Sequence, residues 1–166
     1  THFSNDITIL RIFPGPFTTI RQILAPPLKG LVLQTFGAGN APDENKDLMD
    51  ALREASERGV VIVNVSQCGR GEVEAHYATG AALVAAGVVP GMDLTIDAAV
   101  VKLGWLLGSG KEPDEVRRLM KKDLCGELNE PSEEVQFSLN SDGFLRSVYT
   151  ALVADAKMKT ALDSTP

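Results

Sequence analysis

Val60-Val61-Ile62-Val63-Asn64-Val65 is apolar at nearly every position instead of alternating, and it follows Gly59 directly. A strand with one wet face alternates, whereas a continuous run of β-branched residues is what a parallel strand covered on both faces requires. The stretch therefore predicts a central strand sandwiched between helices. Upstream, a helix from Glu44 to Arg58 is expected, with Asp43 as its N-cap, a stripe of Leu48, Ala51, Leu52 and Ala55, and Gly59 at C′. Before it, Gly30 to Phe36 reads as a second strand and Ile7 to Phe13 as a first, the latter stopped by Pro14-Gly15-Pro16. Between these two strands, Phe17, Ile20 and Leu24 fall at helical spacing ahead of Pro26-Pro27.

Downstream, the loop Ser66 to Glu74 leads to a helix of small residues from Tyr77 to Ala86, which Gly87 ends. A longer helix is expected over Met92 to Leu107, ended by Gly108-Ser109-Gly110. Another opens at Pro113, with Asp114 and Glu115 in its first turn and Lys121 and Lys122 near its end. From Glu127 onward the pattern is thinner, with a helix expected over Gly143 to Lys157. Strands alternating with helices imply an α/β fold of three layers: a small, mostly parallel sheet, doubly wound in the Rossmann or flavodoxin manner, with helices on both faces. The expected organisation is one domain over 1–130 and a helical tail over 131–166, packing on the domain or leading to a linker.

Composition narrows the function. The chain has 166 residues, of which 44% are hydrophobic and 23% charged, enough for one core without disulfides or metal. A formal net charge of -6 disfavours nucleic acid and anionic membranes as partners. Two cysteines, Cys68 and Cys125, read as reduced thiols, which points to a cytoplasmic setting. No apolar run approaches the ~18 residues of a membrane span, and no basic and apolar leader opens the chain. Because it begins at Thr1 and enters a strand within a few residues, the chain reads as a piece of something longer.

In such folds ligands sit beyond the carboxyl ends of the strands, where three loops converge: Pro14 to Pro16, Gly37 to Asp43 and Gln67 to Glu74. Gly37-Ala38-Gly39-Asn40-Ala41-Pro42 has the context of a dinucleotide fingerprint, but Pro42 stands at its sixth position and has no amide to offer a phosphate. The choice there lies between phosphate binding, a tight connection, and a polar role for Asn40 at the ligand edge. Cys68 and His76 could form a nucleophile pair, although a Cys after a buried strand more often packs. Glu72 and Glu74 could recognise an amine or be solvated loop charges. Tyr77 could reach a ligand with its hydroxyl or leave it in water. The two histidines share no metal-ligand spacing with the cysteines, so neither metal nor cofactor is expected, and no Gly-x-Ser-x-Gly elbow or P-loop occurs.

Three longer matches go further. Gly30-Leu-Val-Leu-Gln-Thr-Phe-Gly-Ala-Gly-Asn-Ala-Pro42, then Arg58-Gly-Val-Val-Ile-Val-Asn-Val-Ser-Gln-Cys68, then Tyr77-Ala-Thr-Gly80, with Gly126-Glu-Leu128 beyond, resemble the C-terminal domain of type I, cytosolic L-asparaginases. Within that family the likeness leans toward the mammalian members, also described as lysophospholipases. The resemblance implies threonine attack on the side-chain amide of asparagine, release of ammonia, and hydrolysis of the acyl-enzyme to aspartate. It places the catalytic threonines in an N-terminal domain, in Gly-Gly-Thr and Thr-Asp motifs that this chain lacks, so no catalytic residue is expected here. It implies that this domain closes the pocket of a neighbouring subunit in a dimer or tetramer, with Tyr77, Asn40 and Glu72 contributing. Bacterial members bind asparagine at an allosteric site through an Arg where Gln34 stands, beside Cys68; an amide cannot clamp a carboxylate as a guanidinium does. Two other readings stay open: a small-ligand sensing module without chemistry, and an acyl hydrolase acting on lysophospholipids.

Overall fold

The structure, a computed structural model, describes residues 2–69, 73 and 78–129. The tail expected over 131–166, with its helix from Gly143 to Lys157, lies outside the described residues. Four parallel strands form one sheet: β1 (Ile7–Arg11), β2 (Gly30–Thr35), β3 (Val61–Ser66) and β4 (Val89–Pro90), in the order β1-β2-β3-β4. Leu31 pairs with Ile62 and Val32 with Val63, so the two inner strands present alternate residues to opposite faces in step.

That alternation sorts the core. On one face Leu31, Leu33 and Ile62 meet α1 (Ile20–Ile23), α2 (Lys46–Glu57) and α3 (Ala78–Ala85) through Ile20, Leu48, Leu52 and Leu83. On the other, Val32, Val61, Val63 and Val65 meet α4 (Ile96–Gly108) and α5 (Pro113–Met120) through Ala99, Leu103, Leu106, Val116 and Met120. The continuous apolar run is therefore read on both sides, as its composition predicts. Leu52 is fully buried, and its truncation to Ala would cost about 3 kcal/mol.

The α/β, three-layer reading holds, with a difference in how the second layer is supplied. In a doubly wound sheet the strand order reverses, and the crossovers before and after the reversal cover opposite faces. Here the order never reverses among the described strands, so right-handed crossovers leave α1, α2 and α3 on one side. The second face is covered by α4 and α5, which both follow the last described strand.

Local corrections have local causes. The chain leaves β1 at Arg11, yet the Ile12 amide still donates to the Gln34 carbonyl at 2.8 Å. The first helix is a single turn, Ile20–Ile23, rather than the full Phe17 to Leu24 segment. Asp43 is not the cap of α2: the Asp43 amide is used in a turn on Ala41, and Asn45, in extended backbone, accepts from the Leu48 amide at 3.1 Å. Gly59 does occupy C′, at φ +102°. β4 escaped the sequence reading; it is two residues long and ends on Pro90, tolerated because β4 is an edge among the described strands.

Two cations hold the α4 and α5 layer. Arg117 on α5 donates to the carbonyls of Ser56, at 2.7 Å, and Val60, at 3.2 Å, where α2 gives way to β3. Lys102 on α4, 4% exposed, pairs with Glu127 at 2.7 Å and donates to the carbonyls of Met120 and Lys122, fastening the segment after α5.

Candidate functional site

At the carboxyl end of the sheet the side chain of Gln67 joins three strands. Its Nε2 donates to the carbonyls of Ile12, at 2.6 Å, and Gln34, at 3.0 Å, and its Oε1 accepts from Arg11 Nε at 3.2 Å. One residue earlier, Ser66 Oγ donates to the Gly37 carbonyl at 2.6 Å and accepts from the Cys68 amide at 3.0 Å. The loops after β2 and β3 are thus laced together by short polar side chains at the end of β3.

Below them lies a buried pair. Thr35 Oγ1 donates to Asn64 Oδ1 at 2.7 Å, and Asn64 Nδ2 donates to the Gly39 carbonyl at 3.2 Å. Asn64 is 3% exposed and Thr35 fully buried, so each needs the other: an orphaned polar atom at this depth costs about 1–3 kcal/mol. Asn64 is the one polar residue in the run from Val60 to Val65, and its position there is its only signal in the sequence.

The turn after β2 answers the phosphate question. Phe36 and Asn40 form an antiparallel bridge, and the amides of Gly39 and Asn40 both donate to the Phe36 carbonyl, at 3.0 and 2.8 Å. Amides committed to the turn cannot cradle a phosphate, and α2 starts only at Lys46, so the segment is a tight connection that leaves Asn40 exposed at the ligand edge.

Of the other candidates, Gln34 is half-buried with its carbonyl occupied as above, and Cys68 is exposed and outside any disulfide. Arg11 stands opposite Gln34 in the β1–β2 register, placing a guanidinium-bearing residue on the adjacent strand. Tyr77, Glu72, Glu74 and His76 lie outside the described residues. Among the described hydroxyls, Thr35, Ser66 and Ser56 donate to Asn64, Gly37 and Gly87 respectively. Lys102 is held by Glu127 and two carbonyls, so none of these groups is poised as a nucleophile with its base.

A concavity of about 370 Å³ lies on the outer side of α4, walled by Val101, Trp105 and Leu124 with Lys102, Glu127 and Cys125 at its polar side. A hydrogen bond to Glu127 and the nearby negative charge push the Cys125 thiol up, which makes it a poor nucleophile at neutral pH. No three His, Cys, Asp or Glu residues among those described could share a metal ion, and no described helix is long and apolar enough to cross a membrane.

Fold and edge together define an α/β domain that presents a polar strand-end surface without a catalytic set among its described residues. Residues 6–120 match the glutaminase/asparaginase C-terminal domain, and the chain belongs to that family. It is 47% identical over 131 residues to the 60 kDa lysophospholipase of Homo sapiens, covering 78% of this chain and 23% of that protein. It is 43% identical over 124 residues to L-asparaginase 1 of Escherichia coli (strain K12), covering 74% and 36% respectively. The solved structure of L-asparaginase I from Vibrio cholerae O1 biovar eltor str. N16961 superposes with a TM-score of 0.71 at 43% identity, over 75% of this chain and 38% of that one. The family resemblance read from the sequence is borne out, and the chain spans well under half the length of each of these relatives.

Proposed function

We propose that this chain is the C-terminal part of an L-asparaginase, which hydrolyses L-asparagine to L-aspartate and ammonia in the cytoplasm. The observation that carries the reading is the likeness to L-asparaginases over 74–75% of the chain, combined with an exposed Asn40 fixed at the strand-end edge. In this reading a separate N-terminal domain supplies the threonine nucleophiles and the lysine of the proton relay. Attack on the side-chain amide expels ammonia, and water then releases aspartate from the acyl-enzyme, each tetrahedral intermediate being stabilised by hydrogen-bond donors.

The role of this domain is to complete the pocket of a neighbouring subunit in a dimer or tetramer, with Asn40, Tyr77 and Glu72 reaching the substrate. Gln34 and Cys68 occupy the position of a regulatory asparagine site, weakened here because an amide replaces the guanidinium. The name of the human relative raises acyl hydrolysis as a rival. The groove on α4 is apolar enough for an acyl chain, but its thiol is held protonated and its lysine and glutamate neutralise each other.

Ammonia release from asparagine tests the reading, measured on this chain alone and then joined to a threonine-bearing N-terminal domain of the family. Silence alone and turnover when joined is the expected result. Turnover by the chain alone would place a nucleophile within these 166 residues. Asparagine binding without turnover in either form would instead favour a sensing module.

A further inference from the structure

We propose that Val73 and Asn64 are positioning residues for Asn40, forming a seat that holds the turn after β2 at the ligand edge; this rests on the asparaginase reading above. Val73 is 3% exposed although it is far from any strand or helix of its own. It is pinned by an antiparallel bridge to Met92, its amide donating to the Met92 carbonyl at 2.9 Å. Its side chain fills the space beside Asn64, Leu83, Val88 and Pro90, leaving a void of only about 10 Å³.

The other side of Val73 meets Gly39. A Cβ on Gly39 would lie 2.7 Å from Val73 Cγ1 and 3.2 Å from Asn64 Nδ2, and the φ of Gly39 is +104°, so only glycine brings the turn this close. Asn64 completes the seat from beneath. Its Nδ2 holds the Gly39 carbonyl at 3.2 Å, while its own carbonyl accepts the Gly91 amide at 2.8 Å and so fixes the turn that carries Met92. Asn40 is the next residue after Gly39. Its backbone therefore rests on two buried side chains from other segments, which is how a rigid scaffold holds an exposed polar group in a productive position.

The experiment is a double-mutant cycle in the joined enzyme, reading kcat/KM for asparagine and thermal midpoint. Val73→Ala and Asn40→Ala are each expected to lower kcat/KM by about tenfold, short of the roughly hundredfold that a 1 Å misplacement can cost. The double variant is expected to be no worse than Asn40→Ala, because Val73 acts through Asn40. Val73→Thr, which keeps the shape, should retain turnover. Asn64→Asp, which still accepts from Thr35 but cannot donate to Gly39, should lose it as Val73→Ala does. Losses that add in the double variant, or an unaffected Val73→Ala enzyme, would overturn the seat.

If the joined wild-type enzyme does not release ammonia, or Asn40→Ala is fully active, the asparaginase reading or the role of Asn40 has failed. The seat is then judged by amide hydrogen exchange. Faster exchange at Gly39 and Asn40 in Val73→Ala supports it, and unchanged exchange rejects it.

Discussion

Lys102 and Glu127 lose most of their water together, and burial alone would push the Glu127 carboxyl up. The Lys102 ammonium, with hydrogen bonds from the Cys125 amide and neighbouring donors, outweighs burial and holds the carboxyl well below its ordinary value of 4.5. A carboxyl depressed in the folded state stabilises it fully above the unfolded value, and that contribution fades as pH falls toward the folded one. Glu127→Gln is therefore expected to cost on the order of 2 kcal/mol at neutral pH, since it strands a buried ammonium. Urea titrations of both proteins should converge as pH drops below 4.5; a constant gap would refute the pairing. Adding Lys102→Met to Glu127→Gln should recover part of the loss, because a buried pair is worse to break than to remove. Little of this was legible, because residues 25 apart in sequence meet only once α5 turns the chain back. Asn64 was visible as a polar letter among valines, but its partner Thr35 depends on strand register, which no local pattern specifies. Asn40 stands out in the sequence by its place in the turn after β2 and again on resemblance, Gln34 on resemblance alone, and Val73 only as one apolar residue of a loop.

Helices were the most readable elements, because their apolar stripes repeat over several turns. α2 was found to within two residues at either end, and only its cap was misplaced. Asp43 and Asn45 are both good capping residues; the turn on Ala41 and Pro42 takes up the Asp43 and Asn45 amides and leaves Asn45 extended at the helix entry. Asn45→Ala should lower stability by about 1 kcal/mol and Asp43→Ala by no more than about 0.5 kcal/mol, as read from denaturant midpoints. Equal losses would mean that the cap is shared. β4 shows the opposite limit, since two residues ending in proline carry no period at all. The helix expected from Met92 begins only at Ile96, where Thr95 caps it, so pattern gave neither the short strand nor the turn that follows it.

For the whole domain, the run from Val60 to Val65 foretold cover on both faces without saying which helices would supply it. The strand order decides that: three crossovers progress in one direction, so the second layer waits for α4 and α5. A chain ending at Pro90 keeps every described strand but leaves Val32, Val61, Val63 and Val65 bare on that side. It is expected to bind an apolar fluorescent dye and to scatter light at concentrations where the full chain does neither. Dye binding equal to that of the full chain would show that those valines are covered by something other than the last two helices.

The same order has a consequence for how the domain is made. A nascent chain leaves the ribosome N-terminus first, at ~5–20 residues per second, so each strand after β1 emerges with its sheet neighbour already outside. No described strand has to wait for a distant partner. The valine face does have to wait, from the appearance of β3 until α5 is complete, an interval on the order of several seconds at that pace. During it the growing domain is a half-covered sheet, and that is the window in which a chaperone, or another nascent copy, could meet it.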